Sequence, residues 1–328
     1  MTDGPLISIM MPCYNGARTL PLALASLLAQ RWTRWECVLI DDGSEDHPEV
    51  IVERADDPRI RLTRLPRNVG RGAARQIALE EARGDMLAFL DADDWIPPDK
   101  LDTQIAILRA HPEVSLVSMG LAVVDELGAL AGVRRLTPHG AGVAICGPIT
   151  TPRPLAFAFA SSMIRMEVAR KGRFDPTLRL AQDTDFLLQI LLGRRFALTS
   201  QLGYVYTEIT SRTPKKIIAG YRFSQQIFAK YRRSHPLSSR LEIARYKGKE
   251  LALRAADLVG QGRLLHTRPL PPPEYDELEH FWSACRAVAP LRRRLEGLPP
   301  SRSGALLSSL DPSTDLDDLT QTPTQRIP

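Results

Sequence analysis

A chain of 328 residues with 44% hydrophobic content is long enough for one large domain with an appendage, or for two domains. Its four cysteines, Cys13, Cys37, Cys146 and Cys285, show neither CxxC nor Cys/His spacing, which argues against a zinc framework and suits a reducing compartment. The net charge of +5 is uneven: residues 1–210 hold 23 basic and 26 acidic side chains, 211–300 hold 18 and 8, and 301–328 hold 2 and 4. The first residues lack a basic stretch followed by an apolar one, and no run of about 18 uncharged apolar residues occurs. The sequence therefore predicts neither a secretory signal nor a transmembrane helix, and a cytoplasmic location.

In chain order, residues 6–11 (LISIMM) form a buried strand stopped by Pro12, and Asn15-Gly16 supplies turn chemistry. A helix follows over 19–30, with Pro21 in its first turn. Residues 35–40 (WECVLI) form a second strand that runs into Asp41-Asp42-Gly43-Ser44. A short helix over 50–54 and a third strand over 60–62 precede a glycine-rich basic loop, 66–72. Residues 73–82 are strong helix formers, with Gly84 as terminator. Residues 86–90 then form an apolar strand that ends in Asp91-Ala92-Asp93-Asp94. This strand–helix alternation predicts an α/β sheet, mainly parallel and flanked by helices.

The second half is less regular. A helix runs over 101–111, strands lie at 114–119 and 121–124, and 128–147 reads as loop. Residues 156–165 suit either a strand or a helix. Residues 182–192 form an acidic-ended helix stopped by Gly193, and 197–206 form another strand. From 215 to 262 the apolar spacing is helical and is divided by Pro236. A helix over 277–295 should kink or break at Pro290, and the Ser-, Thr-, Pro- and Asp-rich tail from 299 is predicted to be disordered. The domain reading is 1–213, a helical extension over 214–298, and the tail 299–328.

Three strand ends carry polar groups: Pro12-Cys13-Tyr14-Asn15, Asp41-Asp42, and Asp91-Ala92-Asp93-Asp94. Right-handed crossovers put such ends on one rim, where open α/β sheets bind ligands. Tyr14 can stack on a base, and Asp42 can accept from a base N–H. Arg67 or Arg71, on a loop before a helix, can meet phosphate. The clustered acids suit a hard cation shared with a diphosphate, or else a polar turn with capping aspartates.

These motifs, in this order and spacing, resemble the family 2 glycosyltransferases of the GT-A fold. The resemblance is dense over 6–110 and weaker to about 213. It implies that Pro12, Tyr14, Asp42, Arg67 and Asp91 bind the donor nucleotide, and that Asp93 and Asp94 hold Mn2+ or Mg2+. It also implies that Asp183 is the catalytic base, although Gln182 stands where family members often carry Glu. The function implied is inverting transfer of a hexosyl unit from a nucleotide sugar, UDP-linked by preference, to a hydroxyl of a glycan or lipid-linked acceptor, as in cell-surface polysaccharide assembly. No Gln-x-x-Arg-Trp stretch follows, which argues against a processive synthase. The basic 211–300 segment suggests peripheral contact with an anionic membrane, and nothing suggests nucleic acid. Two other readings remain: a nucleotide-sugar-binding protein of the same fold without turnover, and a nucleotidyltransferase. The latter would need a lysine- and glycine-rich loop after the first strand, where this chain has Pro-Cys-Tyr-Asn.

Overall fold

The computed structural model describes residues 4–125, 127–207, 213–258 and 270–298. The tail beyond 298 and the segment 208–212 lie outside them. The described elements are β1 (Ile7–Cys13), α1 (Leu20–Leu28), β2 (Trp35–Asp41), α2 (Glu49–Ala55), β3 (Ile60–Arg64), α3 (Arg71–Glu81), β4 (Met86–Phe89), α4 (Lys100–Ala110) and β5 (Val114–Val124). They continue with β6 (Leu130–Arg134), β7 (Val143–Cys146), β8 (Ser162–Arg165), α5 (Met166–Ala169), α6 (Gln182–Leu191), β9 (Arg195–Thr207), α7 (Pro214–Lys230), α8 (Pro236–Leu258) and α9 (Tyr275–Leu295).

All the strands join one sheet in the order β3-β2-β1-β4-β8-β5-β9-β7, with β6 added to β5. The first four strands are mutually parallel, as the alternation predicts. The antiparallel β8 separates them from a second parallel pair, β5 and β9. Side chains alternate across this sheet with period two. Ile7, Ile9 and Met11 of β1, with Cys37 and Leu39 of β2, pack into one core layer that also holds Leu24 of α1 and Ile105 of α4. Met10, Val38 and Ile40 point the other way, onto Ala74 and Ala78 of α3 and Phe186 of α6. Both faces are covered, so these strands read as continuous apolar runs rather than alternating ones. Truncating one such residue, Ile9→Ala for example, would cost about 2–5 kcal/mol through lost transfer energy and the cavity left behind.

Several local expectations are corrected. β1 does not stop before Pro12 but continues through Cys13, in register with Asp41. The Cys13 carbonyl accepts from Asp42 on the β2 side and the Met10 carbonyl from Leu90 on the β4 side. Pro12 therefore faces the β4 side, beyond the last pair Met10–Phe89, where a missing N–H breaks no ladder. Gly84 is not a left-handed helix cap. It is needed because a Cβ there would lie 2.7 Å from the Leu6 carbonyl oxygen and the Ser8 nitrogen. The 128–147 stretch contains β6 and β7 rather than loop alone, and β5 is one strand across 114–124.

The 214–298 segment is not a single extension. Helices α7 and α8 form a hairpin with a small core of its own, in which Ile227, Phe228 and Ile243 meet Leu178 and Leu188. Helix α9 instead returns to the main core, burying Phe281, Ala284, Val288 and Leu295. It continues unbroken through Pro290, which lies on its exposed side. Arg54 Nη1 also donates to the Leu295 carbonyl at 3.2 Å. No helix among the described residues is long and apolar enough to cross a membrane.

Candidate active site

The parallel register builds the rim. Cys13 pairs with Asp41, and Met10 with Phe89, so the residues after β1, β2 and β4 emerge side by side. The turns are then tied together. Asn15 N–H donates to Ser44 Oγ at 2.9 Å, and Glu45 N–H donates back to Asn15 Oδ1 at 2.9 Å. Tyr14 projects from this corner with 52% of its surface open, as a stacking platform would.

Asp42 is buried, and its two oxygens accept from the N–H groups of Val69 (2.7 Å) and Gly70 (2.9 Å) at the start of α3. A carboxylate has about four lone-pair sites, so two remain for another donor. Gly43 has φ +73°, and a Cβ there would meet the Arg67 carbonyl carbon at 2.6 Å. The Asp-Asp-Gly turn thus packs directly on the loop that carries Arg67, whose residue is exposed. Next to it, the Cys13 thiol is pushed up to about 12 by burial and by the Asp41 charge, so it is no nucleophile at neutral pH.

The Asp91–Asp94 turn is clamped to β9. Tyr204, fully buried, accepts the Asp91 N–H at 3.2 Å and donates to Asp94 Oδ2 at 2.7 Å. Thr207 N–H donates to Asp94 Oδ1 at 2.9 Å, and the Thr207 hydroxyl donates to the Asp93 carbonyl at 3.0 Å. Trp95 and Val205 exchange backbone hydrogen bonds. Asp94, expected beside Asp93 as a metal ligand, is buried, and each of its oxygens accepts one hydrogen bond within the fold. Burial and the charges of Asp93 and Asp91 raise its carboxyl well above the ordinary range.

Asp91 and Asp93 differ from it. Burial works against ionisation of Asp91, but the charges of Arg75 and Arg71 outweigh it and hold its carboxyl below the usual value. Arg75 Nη2 donates to Asp91 Oδ1 at 2.8 Å. Asp93 is solvent-exposed, yet desolvation by its surroundings and the Asp91 charge raise its carboxyl. An outward carboxylate without a full countercharge is where a divalent cation gains most. Among the described residues no group of three or more His, Cys, Asp or Glu could hold a metal alone. That donor set fits Mg2+ or Mn2+ shared with a diphosphate, because these ions commonly take one or two carboxylates and fill the shell with phosphate oxygens and water.

Arg75 also joins the two halves of the site. Its buried guanidinium is opposed by desolvation, but the charges of Asp91 and then Asp183 raise its pKa above the arginine norm. Asp183 thus lies within electrostatic reach of the Asp91 turn, although the two are far apart in sequence. It sits in the first turn of α6, where Thr184 N–H donates to its Oδ1 at 2.8 Å. The residue before this helix's first turn, Ala181, holds φ +59°, a left-handed conformation costly for a residue with a Cβ. Gln182 is buried against Gly72 of α3 and donates to the Leu178 carbonyl, but its Oε1 has no partner. Asp185 faces elsewhere: its Oδ2 accepts from Lys230 Nζ at 2.8 Å and from Gln189 at 2.9 Å.

The sequence reading named Tyr14, Asp42, Asp91, Asp93 and Asp183, and the fold gathers them at one rim. It missed Arg75, Tyr204 and Thr207. Arg75 lies inside a helix-forming run and Tyr204 inside a strand, so neither shows a local polar cluster.

Residues 8–129 match the sequence model of the family described as Glycosyl transferase family 2. An Escherichia coli UDP-Glc:alpha-D-GlcNAc-diphosphoundecaprenol beta-1,3-glucosyltransferase is 39% identical over 107 residues, covering 32% of this chain and 42% of that protein. The chain spans about half the length of the curated relatives it matches. Among solved structures, S. aureus TarS 1–349 in complex with UDP-GlcNAc superposes with a TM-score of 0.55 at 20% identity, covering 89% of this chain and 83% of that one. A Pyrobaculum calidifontis mannosyltransferase in complex with GDP-Man and Mn2+ gives 0.53 at 20% identity, covering 88% and 87%. The fold is GT-A.

Proposed function

We propose that this chain, a member of glycosyl transferase family 2 through its residues 8–129, transfers a hexosyl unit with inversion from a nucleotide sugar to a hydroxyl acceptor. The observation that carries the reading is Arg75, which lies between the nucleotide-side carboxylate Asp91 and the helix-end carboxylate Asp183. That arrangement brings a donor rim and a general base to one place.

Tyr14 stacks on the base, Asp42 accepts from it beside the Pro12 backbone, and Asp91 holds the ribose. Arg67 and Arg71 meet the phosphates. Asp93 holds Mn2+ or Mg2+, which when bound supplies positive charge to the diphosphate leaving group. Asp94, whose oxygens accept from Tyr204 and Thr207, keeps Asp93 and Asp91 in position. Asp183 accepts the proton of the acceptor hydroxyl, whose oxygen attacks the anomeric carbon in line. Left-handed Ala181 aims this first turn, a use of backbone strain common at functional sites.

The donor is read as UDP-linked, in keeping with the UDP-GlcNAc and UDP-Glc named for similar proteins. The acceptor is read as a glycan or a lipid-linked glycan of cell-surface polysaccharide assembly. The E. coli relative, whose name carries a diphosphoundecaprenol-linked sugar, supports this. A second reading, donor binding without turnover, has one observation in its favour: the buried, unpartnered Gln182 Oε1 beside Asp183.

UDP release from a panel of UDP-sugars, with Mn2+ or Mg2+ and mixed acceptors, separates the two. The transferase reading expects turnover that falls by a factor on the order of 10²–10⁴ in Asp183→Asn while donor binding persists. Metal-dependent donor binding with no turnover in any combination would favour the second.

A further inference from the structure

Helix α8 has two apolar faces, and among the described residues only one is covered. Its inner face packs along α7, with Ile243 and Leu253 buried and Tyr246 stacked 5.8 Å from Phe228. Its outer face carries Leu237 (81% exposed), Leu241 (68%), Leu251 (67%) and Leu258 (88%). Ala244, Gly248 and Ala255 lie between them, also exposed. Their spacing alternates four and three, so all of them fall on one stripe along the helix. It is about 30 Å long at 1.5 Å per residue. Four isolated leucines on a surface would need no explanation, but an aligned row with small residues between them does.

The charges beside the stripe have one sign. Arg240, Lys247 and Arg254 follow one edge and Arg245 the other. The nearby acids either face α7 or pair with two of these cations: Glu242 is buried and lies 3.5 Å from Arg245, and Glu250 accepts from Arg222, Gln225 and Arg254, so among the described residues Arg240 and Lys247 are the edge cations without a carboxylate partner. A second copy of this helix laid on the stripe would set basic edge against basic edge in either orientation, which disfavours self-pairing. An apolar row with cationic edges suits an anionic lipid surface, which takes leucines at the headgroup–acyl boundary and offers phosphates to the cations.

We propose that the outer face of α8 seats this protein on an anionic bilayer, its leucines in the interface and Arg240 and Lys247 on the lipid phosphates. This deepens the reading of a lipid-linked acceptor, yet it is measured without any turnover. Donor hydrolysis in detergent-free solution reports on the transferase site separately.

The test is flotation of the full chain with vesicles of phosphatidylcholine alone and of phosphatidylcholine mixed with phosphatidylglycerol. The expected result is flotation with the anionic vesicles, weakened by salt and absent with phosphatidylcholine alone. Leu241→Glu with Leu251→Glu should cut the bound fraction on the order of tenfold or more, because a charge replaces each inserted side chain. Arg240→Glu with Lys247→Glu should remove the preference for anionic lipid. Circular dichroism and UDP affinity should match the parent in both, since these side chains lie on the exposed face of the hairpin. The proposal is overturned if the parent does not float, or if the leucine substitutions leave flotation unchanged. It is equally overturned if light scattering shows a dimer that those substitutions dissolve, which would identify a second copy as the occupant.

Discussion

The Tyr204 hydroxyl donates to Asp94 Oδ2 at 2.7 Å while accepting the Asp91 N–H, so one buried phenol on β9 fixes both ends of the acidic turn. Burial and the neighbouring carboxylates push its pKa well above that of free tyrosine, which keeps it a donor at any working pH. Tyr204→Phe leaves an acid oxygen and an amide without partners. Leaving such groups unsatisfied costs about 1–3 kcal/mol. Denaturant unfolding should show that loss, and titration with UDP and Mn2+ should show weaker binding. Unchanged donor affinity would mean that the turn is held by Thr207 and the Trp95–Val205 pair alone.

Arg75 balances carboxylates from two elements within the core. Removing one member of a buried ion pair costs about 3–5 kcal/mol, because the other charge stays behind uncompensated. Arg75→Met should therefore lower the melting temperature and abolish turnover together. Arg75→Lys should recover much of the stability and less of the activity, since an ammonium cannot reproduce the planar fork of donors. Melting curves and UDP release on the same preparations would check both.

Metal removal tests the division of labour in the acidic turn. Chelation should abolish turnover, and excess Mn2+ or Mg2+ should restore it. Asp93→Asn should raise the metal concentration needed for half-maximal activity by on the order of tenfold or more, second-sphere changes alone being worth 10–100-fold in metal affinity. Asp94→Asn should mainly lower stability, because its oxygens serve Tyr204 and Thr207. Equal metal shifts in the two variants would return Asp94 to the ligand set.

A pH dependence follows from the hairpin's attachment. Lys230 Nζ reaches Asp175 Oδ2 and Asp185 Oδ2, each at 2.8 Å. Hydrogen bonds from Lys230 and Thr177 lower the Asp175 carboxyl to about 2. A carboxyl lowered in the folded state contributes stability at neutral pH that is lost as pH falls, here between about 4 and 2. Lys230 is partly exposed, so the contribution is about 1 kcal/mol or less. Parent and Asp175→Asn melting temperatures should differ at pH 7 and converge near pH 2, as followed by circular dichroism.

The parallel half of the sheet was legible because each of its strands is a short apolar run bounded by turn residues, with a helix-forming stretch in each crossover. The rim was legible for the same reason: polar groups stood at three strand ends, and parallel register brings such ends together. The different settings of Asp93 and Asp94 were not legible, because adjacency says nothing about which carboxylate faces inward. That choice is made by Tyr204, 110 residues further on. Strands β6 and β7 are short and partly exposed, so their sequence lacks the apolar run that marked the others. On α8, Leu241, Ile243, Leu251 and Leu253 read as one helical pattern, but the fold splits them. Ile243 and Leu253 turn inward, while Leu241 and Leu251 face out.

Helix α9 has a consequence for how this chain can be divided. Because Phe281, Val288 and Leu295 complete the same core layer as β1 and α1, a protein cut after residue 213 would carry every rim residue and still lose part of its interior. The α7–α8 hairpin, by contrast, packs on Leu178 and Leu188 outside that layer. Changes confined to its outer face leave that layer closed, whereas removing it would uncover Leu178 and Leu188 and strip Lys230 from buried Asp185. The outer face of the hairpin is thus a part of the chain that can be altered without touching the acidic turn or its tyrosine.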